Sequence, residues 1–434
     1  MTINPQAIEL NTAIETANPH ILNMLSTRGR KIFFPKRGIL SQSAEAKGSA
    51  INATIGTALE DDGSTMVLAS LRALVNLPDA ESFNYAPSPG KPEIRKLWKE
   101  MLARKNPGLK GVETSLPVVT SALTHGLSMA GYLFVNEDDA VISPDLFWEN
   151  YELVFSNAWG GVISTFPTFS DKKGFNVSGL ADKLSQGKPG KRIVILNFPN
   201  NPTGYTVTES EAQQIRKTLV CAADAGNDIV VIIDDAYFGL VFEKGILCES
   251  MFSLLANAHE RILAVKLDGP TKEDYVWGFR VGFVTFGCAR NSAALYSALE
   301  SKLGGAIRGN ISNCSNLGQT MLLSAYSHAG YDREKADKYA ILKRRYEKLR
   351  DLLTAHPEYG KYFSALPFNS GYFMCIKLTQ DNAEVVRKKL IASYGTGVIA
   401  QGESVIRLAF SATPLSKIEA LLDNVYKAAK DVAG

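Results

Sequence analysis

Between Leu116 and Phe286 short apolar runs alternate with amphipathic stretches, and this alternation narrows the available folds more than any other feature of the chain. Six runs read as strands: Pro117–Ser121, Ala140–Ser143, Ile193–Asn197, Ile229–Asp234, Ile262–Leu267 and Val281–Phe286. They are nearly continuous in apolar residues rather than alternating, the pattern of strands buried on both faces. Helical stretches separate them. Thr208–Ala225 opens with the capping box Thr208-x-x-Glu211 and stops at Gly226. Strands alternating with helices predict an α/β fold around a mainly parallel sheet.

After about Ser312 the pattern changes. Leu317–Leu353 reads as one long helical stretch ending before His356-Pro357. Beyond Phe363 come Gly371–Lys377, Ala383–Ser393, Ser404–Phe410 and a last helix over Leu415–Ala433, a smaller α+β unit. We expect a large α/β domain over 66–325 and a small domain built from 1–65 and 326–434, two domains being usual at 434 residues. The stretch Ser26–Ala50, with Phe33-Phe34-Pro35-Lys36 and Gln42–Lys47, carries no chemical motif and is expected to pack beside the small domain rather than cover a site.

Composition restricts the function. With 45% hydrophobic and 21% charged residues the chain is globular, and a net charge of +3 argues against nucleic acid as the main partner. The five cysteines are scattered, with no pair at metal-ligand spacing, and are expected to be reduced thiols; no metal site is expected. No basic-then-apolar leader follows Met1, and no apolar run approaches the roughly 20 residues needed to span a bilayer. A cytoplasmic protein without a membrane partner is expected.

Three strings stand where predicted strands end. Asn197-Phe198-Pro199-Asn200-Asn201-Pro202-Thr203-Gly204 follows one strand and precedes the capped helix, at the edge where open α/β sheets bind ligands. Read by itself, it suits a plain βα turn equally well. Asp234-Asp235-Ala236-Tyr237 ends another strand. A carboxylate buried there needs a cation, whereas Asp235 also suits a helix N-cap. In Asp268-Gly269-Pro270-Thr271-Lys272, the lysine lies on a loop eight residues before Arg280. A lysine there forms an imine with an aldehyde once its neighbours depress its pKa, and the arginine suits a phosphate. Either residue alone reads as a solvated surface group.

Together the strings resemble the fold-type I pyridoxal-phosphate enzymes, the class I/II aminotransferases related to aspartate aminotransferase. The order Asn-Pro-Thr-Gly, Asp-x-Ala-Tyr, then Thr-Lys with an arginine eight residues on carries the resemblance, which covers most of the chain. It implies a seven-stranded, mainly parallel sheet between helices, and pyridoxal 5'-phosphate as cofactor. Lys272 would hold the cofactor as an imine and shuttle the Cα proton. Asp234 would pair with the ring nitrogen, Asn201 and Tyr237 with the phenolic oxygen, and Arg280 with the phosphate. Thr271 is the residue before the lysine, and Leu123 and Thr124 open a helix that faces the phosphate. Trp148, with Phe147 as alternative, would stack on the ring. Tyr85 would reach the phosphate of a neighbouring subunit, which implies a homodimer with shared sites. Two departures stand out: Leu123 where the family usually has glycine, and Gly269 where it often has a phosphate-binding serine.

For the substrate, the resemblance assigns Arg407 to the α-carboxylate and Gly56 to closure over it. Arg308 aligns with an arginine that crosses the dimer to a side-chain carboxylate, which favours aspartate or glutamate as donor, although relatives without acidic preference carry a similar segment. The expected reaction is transfer of an amino group from an L-amino acid to a 2-oxo acid through pyridoxamine phosphate. A lyase or decarboxylase is the alternative, because the same residues serve either. A cofactor-binding regulator is remote, since residues 1–50 are too few for a separate DNA-binding domain.

Overall fold

A computed structural model describes residues 3–17, 30–31, 39–54, 56–72, 77–78, 81, 83–172 and 174–433. Phe33–Lys36 therefore lies outside the described residues. The strands are β1 (Ile51–Asn52), β2 (Val118–Thr120), β3 (Ala140–Pro144), β4 (Val162–Phe166), β5 (Lys191–Asn197), β6 (Asp228–Asp234), β7 (Ile262–Asp268), β8 (Gly282–Gly287), β9 (Phe363–Ala365), β10 (Phe373–Leu378), β11 (Thr396–Gly397), β12 (Ile399–Gln401) and β13 (Val405–Ala409). Seven of them form one sheet in the order β2-β8-β7-β6-β5-β3-β4. β4, β3, β5, β6 and β7 run parallel, while β8 is antiparallel to both β7 and β2.

The predicted strands are all present with ends shifted by a residue or two, and β4 was not predicted. It is an edge strand whose residues are mostly part-exposed, so it lacks the continuous apolar signature of its neighbours. The capping box is formed: Thr208 Oγ1 accepts from the Glu211 N–H at 3.1 Å, and Glu211 accepts from the Thr208 N–H at 2.8 Å. Apolar side chains cover both faces of the sheet. Ile232, Val265 and Leu267 pack with Tyr151 and the helix Ala122–Phe134 on one face; Val231, Ile233 and Ala264 pack with Phe252 and the helix Glu209–Asp224 on the other.

The long helical stretch is two helices, Asn316–Tyr326 and Tyr331–Ala355. Between them Ser327 turns its hydroxyl onto the Leu323 carbonyl, and Gly330 donates its N–H to His328 Nδ1 at 3.1 Å, so local bonds replace the helical ladder. The break brings Tyr331 to the loop that carries Lys272, its Oη 2.6 Å from Asp274. A second sheet, β12-β13-β10-β9, is antiparallel, and β1 pairs with β11 in parallel. The N-terminal and C-terminal segments thus share backbone bonds. Gln42 bonds both backbone groups of Ala400, as the expected packing of Gln42–Lys47 requires.

All five cysteines are free. Among the described residues no helix is long and apolar enough to cross a membrane.

Gly204 is where the Asn-Pro-Thr-Gly turn meets the second sheet. Its carbonyl accepts the N–H groups of Asn369 and Ser370, both at 2.9 Å. Its φ is +70°, and a Cβ there would lie 1.9 Å from the Phe373 carbonyl oxygen. Gly204→Ala is therefore expected to cost about 3 kcal/mol, read as a lower midpoint in urea unfolding; an unchanged midpoint would mean the two segments separate freely.

Candidate active site

The parallel register of the central strands makes the site. Asn197 of β5 pairs with Asp234 of β6, and Asp234 with Leu267 of β7, so three strands end level. Asn197 reinforces this by donating from Nδ2 to the Asp234 carbonyl at 2.8 Å. The chain then leaves β5 into the Asn-Pro-Thr-Gly turn, β6 into Ala236-Tyr237, and β7 into the short helix Pro270–Glu273 that bears Lys272. A cavity of about 520 Å³ opens there.

Lys272, Asp234, Asn201, Tyr237, Arg280, Trp148, Thr124, Leu123, Thr271, Arg407 and Gly56 all line that cavity. Tyr85 and Arg308 do not. Tyr85 is 90% exposed, and Arg308 is exposed near the end of the helix Ala293–Ile311.

Asp234 is buried. It accepts from Tyr151 Oη at 2.6 Å and from the Ala236 N–H at 3.1 Å. Burial pushes its carboxyl above the ordinary range, against the pull of the Tyr151 bond and of the Lys272 charge. A cation in the cavity would relieve that cost. Burial also brings the Lys272 amine down to about 8, with Asp234 opposing and Arg280 assisting. Roughly a tenth of such a group is neutral at pH 7, against less than a thousandth for an ordinary lysine. Its Nζ stands 5.0 Å from the centre of the Tyr237 ring, and Tyr372 Oη holds its carbonyl at 3.0 Å.

Arg407 is buried, and among the described residues no carboxylate forms an ion pair with it. One Nη donates to Asn201 Oδ1 and the other to the Thr54 carbonyl, both at 3.1 Å, and the guanidinium lies 4.3 Å over Phe373. Its Nε has no partner. Such a group is arranged for an anion entering the cavity. Thr271 Oγ1 is likewise buried without a partner, beside the helix start at Ala122–Thr124 and near Arg280. Trp148, not Phe147, faces the cavity; Phe147 stacks on Tyr151 instead.

Asp235 is no N-cap. No helix follows it, and its carboxylate instead pairs with Lys266 behind the sheet. Ser43 reaches the cavity wall, so the N-terminal stretch both packs and lines the site. Ser43, Thr54, Trp277, Phe373 and the Asp234 partner Tyr151 were not singled out from the sequence. The only available signal was for Tyr151, three residues after Trp148 and so on the same side of a helical turn.

The two departures from the family pattern touch each other. A Cβ on Gly269 would meet Leu123 Cδ1 at 3.2 Å, the Gly282 Cα at 3.0 Å and the Val281 carbonyl at 3.0 Å. Leu123 is thus one of three neighbours, beside the backbone of Val281 and Gly282, that a side chain at Gly269 would crowd. Gly269→Ser is expected to destabilise the protein by about 1–3 kcal/mol, and by less in a Leu123→Ala background; equal costs in both backgrounds, measured by urea unfolding, would show that the two positions are independent.

Residues 51–425 match the profile of the family described as Aminotransferase class I and II. The chain is 26% identical over 281 residues to the probable aspartate/prephenate aminotransferase of Aquifex aeolicus, a span covering 64% of this chain and 63% of that relative, under two thirds of its length. It is 24% identical to aromatic-amino-acid aminotransferase 2 of Thermococcus litoralis over 80% of this chain and 84% of that one. Among solved structures, an aminotransferase from Anaerococcus prevotii superposes with a TM-score of 0.81 at 23% identity, covering 93% of this chain and 98% of its own. The fold is that of the fold-type I aminotransferases, as the motifs and the seven-stranded sheet lead one to expect. On the profile match across nearly its whole length, the chain belongs to the class I and II aminotransferases.

Proposed function

We propose that this chain is a pyridoxal-phosphate transaminase that moves an amino group from an L-amino acid to a 2-oxo acid, working as a cytoplasmic homodimer. The observation that carries the reading is the convergence of a buried carboxylate, a lysine brought down to about 8 and a buried arginine without a carboxylate on one cavity. Pyridoxal phosphate, when bound, supplies a carbonyl for the amino group and a ring that takes the electron pair released at Cα.

The residues fit that group. Asp234 offers a negative charge to the ring nitrogen and thereby ends its own isolation. Thr271 Oγ1, Thr124 and Arg280 offer donors to a phosphate, with Leu123 walling the same corner. Asn201 and Tyr237 would offer hydrogen bonds to the phenolic oxygen, and Trp148 would supply a ring face. Lys272 would move the proton between Cα and the cofactor's carbonyl carbon, two bonds apart across the nitrogen, which a group poised near neutrality does in both directions. Arg407 grips the substrate carboxylate in two bonds, and Gly56 closes beside it without a side chain.

Tyr85 and Arg308 are assigned to the partner subunit's site, and their exposure leaves both available for that. On Arg308 we place aspartate or glutamate first as donor. An aromatic donor is the second reading, supported by Trp148, Trp277 and Phe373 in the wall. The scattered free thiols support a reducing compartment.

Donor added to the holoenzyme without any oxo acid is expected to convert the cofactor chromophore once per site; continuing release of ammonia or carbon dioxide would instead mark a lyase or decarboxylase. Lys272→Ala is expected to lower kcat/KM by at least about a thousandfold and to abolish covalent capture of pyridoxal phosphate by borohydride. Arg308→Leu is expected to raise KM for aspartate and glutamate by about 10- to 100-fold while sparing neutral donors; equal losses for both would remove the acidic assignment.

A further inference from the structure

Behind the cavity, on the sheet face opposite Asp234, lies a charged group that the reaction does not use. Lys266 sits within β7 and is fully buried. Its ammonium pairs with Asp235 and, at 3.3 Å, with Asp268, and stands 4.9 Å from the centre of the Phe238 ring. Ser250 Oγ donates to Asp235 at 2.5 Å, and Trp98 Nε1 donates to Asp268 at 3.0 Å. Lys266 pairs in register with Ile233, one residue before Asp234, so strand alternation sends the lysine and Asp234 to opposite faces.

A buried ion pair of this kind is a poor source of stability, because apolar residues of similar volume commonly serve as well or better. What it touches is more informative. Asp235 follows Asp234, Phe238 follows Tyr237, and Asp268 ends β7 just before the turn to Lys272. One ammonium therefore holds the chain next to three residues of the cavity. Its positive charge also acts through the sheet on Asp234, pulling that carboxyl down against burial.

We propose that Lys266 is a positioning residue, which clamps the ends of β6 and β7 from behind and supplies the positive charge that backs Asp234 at the cofactor ring. The proposal rests on the reading of Asp234 as the partner of the ring nitrogen. The titratable groups facing Asp234 are Tyr151, Tyr237 and Lys272 on the cavity side, with Arg407 beyond Tyr237, and Lys266, Asp235 and Asp268 behind. His125, on the helix packed over the cavity face, turns to Ser121 and Asn310.

The test is the affinity of the apoprotein for pyridoxal phosphate between about pH 5 and pH 9, measured beside thermal unfolding. Affinity falls on the acid side as Asp234 takes up a proton. Lys266→Met removes a downward pull on that carboxyl, so the acid midpoint should rise, read as a loss of affinity at the original midpoint. Lys266→Arg keeps the charge and should keep the midpoint. If Lys266→Met fails to fold with two carboxylates stranded, Lys266→Gln removes the charge while keeping N–H donors for Asp235 and Asp268, and should show the same upward shift. A folded variant lacking the lysine but with the original midpoint overturns the proposal. So does failure of both variants to fold, which would make Lys266 a stability residue only. Asp234→Asn, run alongside, keeps the two readings apart: if it binds like the wild type with the same acid limb, the assignment of Asp234 falls; if it abolishes the limb while the lysine-free variants keep theirs, only the role of Lys266 falls.

Discussion

The level, in-register ending of β5, β6 and β7 is the constraint on which the rest of the site depends. Parallel pairing delivers every strand's C-terminal end to one edge of the sheet, and the Asn197–Asp234–Leu267 row keeps three ends within bonding reach. Each strand then spends its next few residues at that edge. A one-residue slip would send Asp234 to the far face, because side chains alternate, and would bring Asp235 to the cavity in its place. The bond from Asn197 Nδ2 to the Asp234 carbonyl, and from the Asp235 N–H to the Leu267 carbonyl at 2.9 Å, hold the register where it matters.

Charge at that edge is arranged for incoming anions. Among the described residues, Lys272, Arg280 and Arg407 line the cavity against the single carboxylate of Asp234. Under the proposed function, an anionic phosphate and an amino-acid carboxylate would answer this excess, and a protonated ring nitrogen would answer the carboxylate. Among the described residues, three buried polar atoms of the wall have no hydrogen-bond partner, Arg407 Nε, Thr271 Oγ1 and Trp277 Nε1, and each is open to an entering ligand. Burial does two opposite things here. It lifts Asp234 and lowers Lys272, so both stand nearer neutrality than exposed groups of their kind.

The second face of the sheet carries a matching polar cluster under Asp235, Lys266 and Asp268. The adjacent carboxylates of Asp234 and Asp235 therefore belong to different environments, one facing a ligand site and the other a buried ammonium. Packing explains the departures at the phosphate corner as well. A side chain on Gly269 would press on the backbone of Val281 and Gly282 and, slightly farther off, on Leu123.

Much of this was legible in the chain. The apolar strands, the capping box and the three strings at strand ends, with Lys272 and Arg280 eight residues apart, depend on local pattern and on order, which sequence carries directly. They determined an α/β fold, the family resemblance and most of the cavity wall. Other features were not legible because they depend on contacts between distant segments. Edge strand β4 is half solvated and has no continuous apolar run. The break at Ser327–Gly330 is made by local bonds, but the contact it sets up between Tyr331 and Asp274 joins segments far apart in sequence. Tyr151 became a partner of Asp234, and Ser43 a wall residue, only when elements far apart in sequence were packed together. Lys266 reads in sequence as a charge interrupting a strand; Asp268 lies two residues on along the same strand, but Asp235 meets it only through the pairing of β6 with β7. Sequence by itself thus determined which residues stand at the strand ends, because that follows from periodicity. Tertiary structure decided which groups face one another across the sheet and how far burial moves their charges, because those depend on distance through a low-dielectric interior.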